Sequence, residues 1–119
     1  MVKVKIEDKL NKIEKQWDPH IVGALNGQHV KLAKIKGEFI WHKHDDEDEM
    51  FYVIDGEFQM QLRDQNIDLK KGEFLIVPRG VEHRPVAKQE ASIMLFEPMS
   101  TLNTGNTVSE LTHRNLTEI

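Results

Sequence analysis

The amino-acid sequence predicts an all-β fold, an antiparallel sandwich or barrel of short strands, and three observations support this prediction. Short alternating or apolar segments recur along the chain, as expected for half-buried strands. Turn signals separate these segments at close spacing, and Asn26-Gly27 is the first of them. The third observation is length, since 119 residues provide one modest core. We therefore expect a single domain over residues 1–119.

The predicted domain has a β core between two flanking segments. Its parts are an N-terminal segment (1–18), a barrel core (about 19–98) and a polar tail (99–119). In the N-terminal segment, apolar residues at helical spacing predict a short amphipathic helix before Pro19. These residues are Ile6, Leu10, Ile13 and Trp17. The tail begins as a loop, and we expect a short helical segment near its end.

The first predicted hairpin joins strands over 21–25 and 29–36. Asn26-Gly27 lies between them, and this dipeptide favours the positive φ angles of a tight turn. The alternation of apolar and polar residues in the second strand is interrupted near Ala33, which predicts a β-bulge there. Four further strands are predicted over 39–44, 50–54, 58–63 and 67–69, and Asp55-Gly56 is a second hairpin signal.

The last predicted strands lie on either side of a proline-glycine turn at 78–80. Residues 74–77 form a continuous apolar run, which is typical of a strand covered on both faces. The turn then interrupts the pairing. Strands resume over 83–86 and 92–96, and a Glu-Pro pair ends the last of them.

Three histidines and a glutamate are the strongest functional signal. One residue separates His42 from His44, so on a strand both side chains emerge on the same face. An antiparallel neighbour can return Glu49 to that face, and a strand pair that folds over can bring His83 close. Imidazoles with a carboxylate suit Fe, Mn, Ni, Co, Cu or Zn better than Mg or Ca. The competing interpretation is that these residues form structural hydrogen bonds.

The spacing of these residues resembles that of a known family. Two stretches match the two signature motifs of the cupin superfamily: Gly37-x4-His42-x-His44-x4-Glu49-x6-Gly56 and Gly72-x5-Pro78-x-Gly80-x2-His83. The first motif is one residue shorter than usual before its first histidine, and Ala87 stands where an asparagine often ends the second. The resemblance implies an antiparallel jelly-roll barrel in which His42, His44, Glu49 and His83 hold one divalent transition metal.

The resemblance also implies a small-molecule ligand and leaves the reaction open. Cupins include isomerases, dioxygenases, decarboxylases and non-catalytic binding proteins, so the fold does not fix the function. We expect isomerisation or oxidation of a small polar metabolite, sugar-like or carboxylate-bearing, at the metal. Tyr52, Gln61 and Arg84 are the predicted substrate-binding residues, and the arginine suits a carboxylate or phosphate. The alternative is a non-catalytic binding module with a structural or absent metal.

Composition and charge bound the partners and the location. The formal net charge of -4 argues against nucleic acid as a partner. Cysteine is absent, which is compatible with a reducing cytoplasm, and no apolar run suits a secretion signal or a membrane span. We therefore expect a cytoplasmic protein with no membrane or nucleic-acid partner. Exposed sheet edges and the apolar stripe of the N-terminal segment predict a homodimer.

Overall fold

The computed structural model describes all 119 residues, and its regular structure is almost entirely antiparallel β-sheet. One short helix precedes seven strands: α1 (Ile6–Leu10), β1 (His20–Leu25), β2 (Gln28–Glu38), β3 (Glu49–Asp55), β4 (Glu57–Leu62), β5 (Asn66–Lys70), β6 (Phe74–Val77) and β7 (His83–Pro98). The sheet order is β1-β2-β7-β3-β6, and β4 pairs with both β7 and β5. The predicted all-β antiparallel fold is confirmed.

The longest strand pair, β2 with β7, bends part-way along its length. The register shifts between the pair Ile35↔Ala91 and the pair Gly37↔Ala87, which marks a bulge. On one side of this bend β7 pairs with β4, and on the other side it pairs with β3. The bend lets one strand contribute to both sheets of the predicted jelly roll.

Two predicted details of these strands are wrong. The bulge lies at 35–37 instead of near Ala33, where consecutive residues of β2 are buried because the strand is covered on both faces. The strands predicted over 83–86 and 92–96 are one continuous strand, since the exposed residues 88–90 between them keep an extended backbone.

Inward-facing side chains of the strands form one apolar core. It contains twelve buried residues, among which Val53 and Met60 have no exposed surface. Full burial of side chains of this size stabilises a fold by about 1.5–3 kcal/mol each. Partly buried Trp17 from the N-terminal segment packs against the same core.

Two glycine turns have different roles. Asn26 and Gly27 have φ angles of 49° and 76°, so the first hairpin turn is confirmed. Gly56 also has a positive φ, 79°, but the predicted hairpin is wrong because β3 and β4 do not pair with each other. A Cβ atom at Gly56 would lie 3.1 Å from the Ala91 Cα atom. The absence of a side chain at Gly56 therefore lets the backbone pass close to Ala91 of β7.

Two other predicted strands are corrected. Residues 39–44 are not a strand, since β2 ends before them and only His42 pairs, in an isolated bridge with His83. The C-terminal tail instead binds this segment, as the Asn106 side chain accepts the Lys43 N–H at 3.1 Å. Strand β6 is present but is not covered on both faces, because 61% of Phe74 is exposed at this edge strand.

The terminal segments contain less helix than predicted. Helix α1 is five residues long, and of the predicted apolar stripe only Ile13, beyond its end, is fully buried. The tail forms isolated turns, such as the hydrogen bond from Gly105 N–H to the Leu102 carbonyl, and no helix. No helix in the structure combines the length and hydropathy needed to cross a membrane.

Candidate metal centre

Four buried side chains converge inside the barrel. Their ligand atoms, imidazole nitrogens and one carboxylate oxygen, all lie within 4.8 Å of one another. The residues are His42, His44, Glu49 and His83, which are the four predicted from the sequence. None of them exposes more than 4% of its surface. The structure therefore brings together, away from bulk water, a donor set that could hold a metal ion.

Backbone hydrogen bonds fix the segments that carry these residues. His42 and His83 each donate an N–H to the carbonyl oxygen of the other, at 3.1 and 2.9 Å. The Gly80 N–H donates to the His44 carbonyl oxygen at 2.7 Å, which ties the turn before β7 to the histidine segment. Glu49 is the first residue of β3 and faces inward. Three separate parts of the chain thus hold the cluster in place.

Hydrogen bonds at Nδ1 set the tautomers of two imidazoles. His42 Nδ1 lies 2.9 Å from the Ile40 carbonyl oxygen, and His83 Nδ1 lies 2.9 Å from the Val81 carbonyl oxygen. Because a carbonyl oxygen only accepts, each Nδ1 carries the proton and each Nε2 keeps its lone pair. This is the arrangement of metal-binding histidines, in which one nitrogen donates to the protein and the other binds the ion.

Several of the atoms that could bind a metal have no hydrogen-bond partner in the protein. They are both ring nitrogens of His44, Nε2 of His83 and Oε1 of Glu49. An unpaired buried polar group costs about 1–3 kcal/mol. Glu49 Oε1 lies 3.3 Å from His44 Nε2 and 3.4 Å from His83 Nε2. Atoms bound to one ion at about 2.1 Å cannot be more than about 4.2 Å apart, so both distances fit a shared ion.

The protonation states also suit a metal. Burial, reinforced by the neighbouring His83, lowers the pKa of His42 to about 4, so this ring is neutral near physiological pH. Burial acts to raise the pKa of Glu49, but the close approach of Glu97, His44 and His83 outweighs it and holds that pKa well below its usual range. Neutral imidazole and ionised carboxylate are the forms that bind metals.

A buried ion pair beside the cluster was missed by the sequence prediction. Lys31 Nζ lies 2.7 Å from Glu97 Oε1, and the two side chains are 2% and 1% exposed. Burial, with the charge of Glu49, raises the pKa of Glu97 well above its usual range even though Lys31 opposes this. The sequence does contain a signal for the burial of Glu97. This residue follows Ile93 and Leu95 at intervals of two residues, so on a strand it shares their inward face.

A small cavity of about 40 Å³ adjoins the cluster. Apolar side chains form most of its wall, including Trp17 and Phe39, whose stacked ring centroids are 4.8 Å apart. The polar residues of the wall are His42, Glu49 and Asn103. A buried water needs about 10–15 Å³ on this measure, so the cavity has room for about three water-sized groups.

The three predicted substrate-binding residues lie outside the barrel. Tyr52 alternates with the inward-facing residues of β3, and Gln61 does the same on β4. Arg84 donates to the Gln61 side-chain oxygen at 2.6 Å and to the Glu38 carboxylate at 3.0 Å. None of the three lines the cavity, because strand alternation directs them to the opposite face.

The sequence profile of the cupin domain matches residues 28–97, which is more than half of the chain. The chain belongs to the cupin family. A solved cupin-2 domain containing protein from Shewanella frigidimarina is 44% identical, with a TM-score of 0.79. That match covers 80% of this cupin and 93% of the Shewanella chain.

Two curated relatives are similar in sequence to this cupin. The uncharacterized protein YdbB of Bacillus subtilis is 33% identical over 75 residues, which are 62% of this cupin and 66% of YdbB. Acireductone dioxygenase of Phaeosphaeria nodorum is 31% identical over 117 residues, covering 89% of this cupin and 63% of the dioxygenase. The cupin chain therefore spans just under two thirds of the length of each of these relatives.

Proposed function

We propose that this cupin binds one divalent transition metal through His42, His44, Glu49 and His83 and oxidises a small ligand there. The observation that carries the proposal is the convergence of four buried donor groups within 4.8 Å, several of whose atoms have no other partner. Three nitrogens with one oxygen favour Fe, Mn, Ni, Co, Cu or Zn. When bound, such a metal polarises a ligand oxygen and, if it is redox-active, exchanges electrons with dioxygen.

The residues around the cluster would position the ligand and exclude water. His42 and Glu49 belong to both the cluster and the cavity wall, so a ligand in the cavity meets the metal-binding groups directly. Trp17, Phe39 and Phe51 contribute apolar surface to the cavity wall. Such a surface strengthens the electrostatic interactions of a polar group that does enter.

The sequence comparisons favour oxidation over isomerisation of a sugar. Five curated relatives carry the name acireductone dioxygenase, which states oxidation of acireductone with dioxygen. Acireductone is therefore the first substrate to test on this cupin.

The near-complete burial of the four residues favours a second candidate, a non-catalytic binding module whose metal is structural. Chelation would then lower the melting temperature without altering ligand binding, and no substrate would be consumed. The two candidates differ in one observable, which is turnover that disappears with the metal.

Oxygen uptake tests the oxidation proposal. The purified protein is loaded separately with Fe²⁺, Mn²⁺, Ni²⁺ or Co²⁺ and mixed with acireductone in an oxygen-electrode cell. We expect uptake with at least one metal, and loss of that uptake on chelation and in His42→Ala. His113→Ala, in a histidine outside the cluster, is the matched control and should keep the uptake. A metal-loaded protein that consumes no oxygen would contradict the proposal and favour the binding module.

We further propose that the protein works as a single-domain homodimer in the cytoplasm. Strand β6 lies at a sheet edge with Phe74 and Ile76 61% and 54% exposed, and Val2 near the N-terminus is 88% exposed. Exposed apolar edges favour association. Light scattering should give twice the chain mass of 13.8 kDa at micromolar concentration, and a clean monomer would contradict the dimer.

A further inference from the structure

A row of buried polar side chains extends beyond the four proposed metal ligands. It begins at Lys31 on β2, passes through Glu97 on β7 and reaches Glu49 on β3. These strands are neighbours in the sheet order β2-β7-β3. Met50 pairs with Phe96 in the antiparallel register, so one step along the strands Glu49 faces Glu97.

The contacts in this row are direct and shielded from water. Lys31 Nζ donates to Glu97 Oε1 at 2.7 Å, and both side chains are at most 2% exposed. Glu97 lies beside Glu49 across the β3–β7 strand pair, both side chains are buried, and Glu97 Oε2 has no hydrogen-bond partner. Glu49 Oε1 still faces His44 and His83.

Fold stability does not account for this row. Replacing a buried ion pair by apolar side chains of similar volume is often neutral, or stabilising by about 1–4 kcal/mol. The inward-facing neighbours Ala33, Ile93 and Leu95 are apolar, so apolar side chains would suit positions 31 and 97 as well. The contact with Glu49 gives the pair a different role.

We propose that Glu97 is a positioning residue for Glu49 and that Lys31 holds Glu97 in place, an inference that rests on the proposed metal site. The buried Glu97 side chain, next to Glu49 on the neighbouring strand, restrains rotation of the Glu49 carboxyl group, which keeps Oε1 directed towards His44 and His83. Lys31 restrains Glu97 in the same way from the opposite side. Groups that orient a metal ligand typically change metal affinity by about 10- to 100-fold.

Cobalt binding to wild type and matched variants tests the proposal. Lys31→Met/Glu97→Leu removes both buried charges together, so the fold should be retained. Glu97→Gln is the conservative variant, because an amide can accept from Lys31 and donate to Glu49. Arg63→Met/Glu82→Leu is the control, because it replaces an exposed ion pair of 3.1 Å by the same two apolar side chains.

Competition with a chelating dye measures the affinity of each protein for Co²⁺. We expect affinity to fall about 10- to 100-fold in Lys31→Met/Glu97→Leu. It should stay close to wild type in Glu97→Gln and in the exposed-pair control. The visible spectrum of bound Co²⁺ should change in the buried-pair variant alone, because the Glu49 ligand changes its geometry. An undiminished melting temperature of the metal-free variant separates lost positioning from lost fold.

Wild-type affinity and spectrum in the buried-pair variant would overturn the positioning role and leave the metal site standing. A wild-type protein that binds no cobalt would overturn both proposals. If the buried-pair variant does not fold, Glu97→Asp takes its place, since a side chain shorter by one methylene cannot reach Lys31 and Glu49 together. The same loss of affinity is expected there, and wild-type affinity would again overturn the inference.

Discussion

The two ends of the barrel interior differ in whether their buried side chains need hydrogen-bond partners. Along β3 the inward-facing residues run from Glu49 through Phe51 to Val53, so a single strand passes from the polar end to the apolar end. At the apolar end, Val53 and Met60 are fully buried and need no polar partner. At the polar end, Glu49 and two histidines bury atoms that have no hydrogen-bond partner.

This difference indicates that stability and proposed function are divided between the two ends. Apolar burial contributes about 25 cal/mol per Å² of surface removed from water, whereas unpaired buried polar groups cost free energy. The apolar end must offset the cost of the polar end in the metal-free protein. A metal that binds only the folded protein would remove part of that cost and raise stability.

The largest effect on stability is expected at the apolar end. Met60→Ala removes a fully buried side chain and leaves a cavity, so we expect the free energy of unfolding to fall by about 2–5 kcal/mol. Metal stoichiometry should be unchanged, because Met60 belongs neither to the histidine cluster nor to the cavity wall. Urea denaturation and elemental analysis measure the two quantities. Loss of metal from the folded variant would show that the two ends are not independent.

A somewhat smaller effect, dependent on pH, is expected at the polar end of the metal-free protein. The pKa of His42 is about 4 in the folded state and 6.5 without burial, so the unfolded chain binds this proton more readily. Stability should therefore fall as the pH decreases from about 6.5 to about 4, by about 3 kcal/mol from this group. Urea denaturation across that range should show a shallower fall for His42→Gln. Equal slopes for variant and wild type would contradict the assignment.

The smallest effect is expected on the outer face of the same strand. Tyr52→Phe removes a hydroxyl group that points away from the cluster, so the free energy of unfolding should change by no more than about 0.5 kcal/mol. Cobalt affinity, measured by dye competition, should equal that of wild type. A clear loss of affinity would contradict the assignment of Tyr52 to the outer face.

The sequence predicts the fold and the metal cluster well, because both depend on short-range spacing. Asn26-Gly27 favours positive φ angles and adopts them here. The histidine pair with Glu49 and His83 follows a motif whose turns contain glycine and proline. The cluster forms even though residues 39–44 are not a strand. Backbone hydrogen bonds between His42 and His83, instead of the predicted strand alternation, bring the histidine side chains together.

The remaining features depend on long-range pairing, which local patterns do not encode. The bend in β7 is set by its partner β2, so the sequence cannot show that His83 and Glu97 of one strand both reach Glu49. Phe74 looks buried by composition, yet its face is left open at the sheet edge. The prediction for Arg84 depends on its chemical type alone, whereas its position next to the inward-facing His83 directs its side chain out of the barrel.

Metal content tests the central claim most directly. Elemental mass spectrometry is applied to untagged protein purified without chelator, beside the His42→Ala/His44→Ala variant, with circular dichroism to verify folding. We predict about one equivalent of a transition metal per wild-type chain and none in the variant. A folded wild type that contains no metal, and takes up none when Fe, Mn, Ni, Co, Cu or Zn is added, would contradict the account.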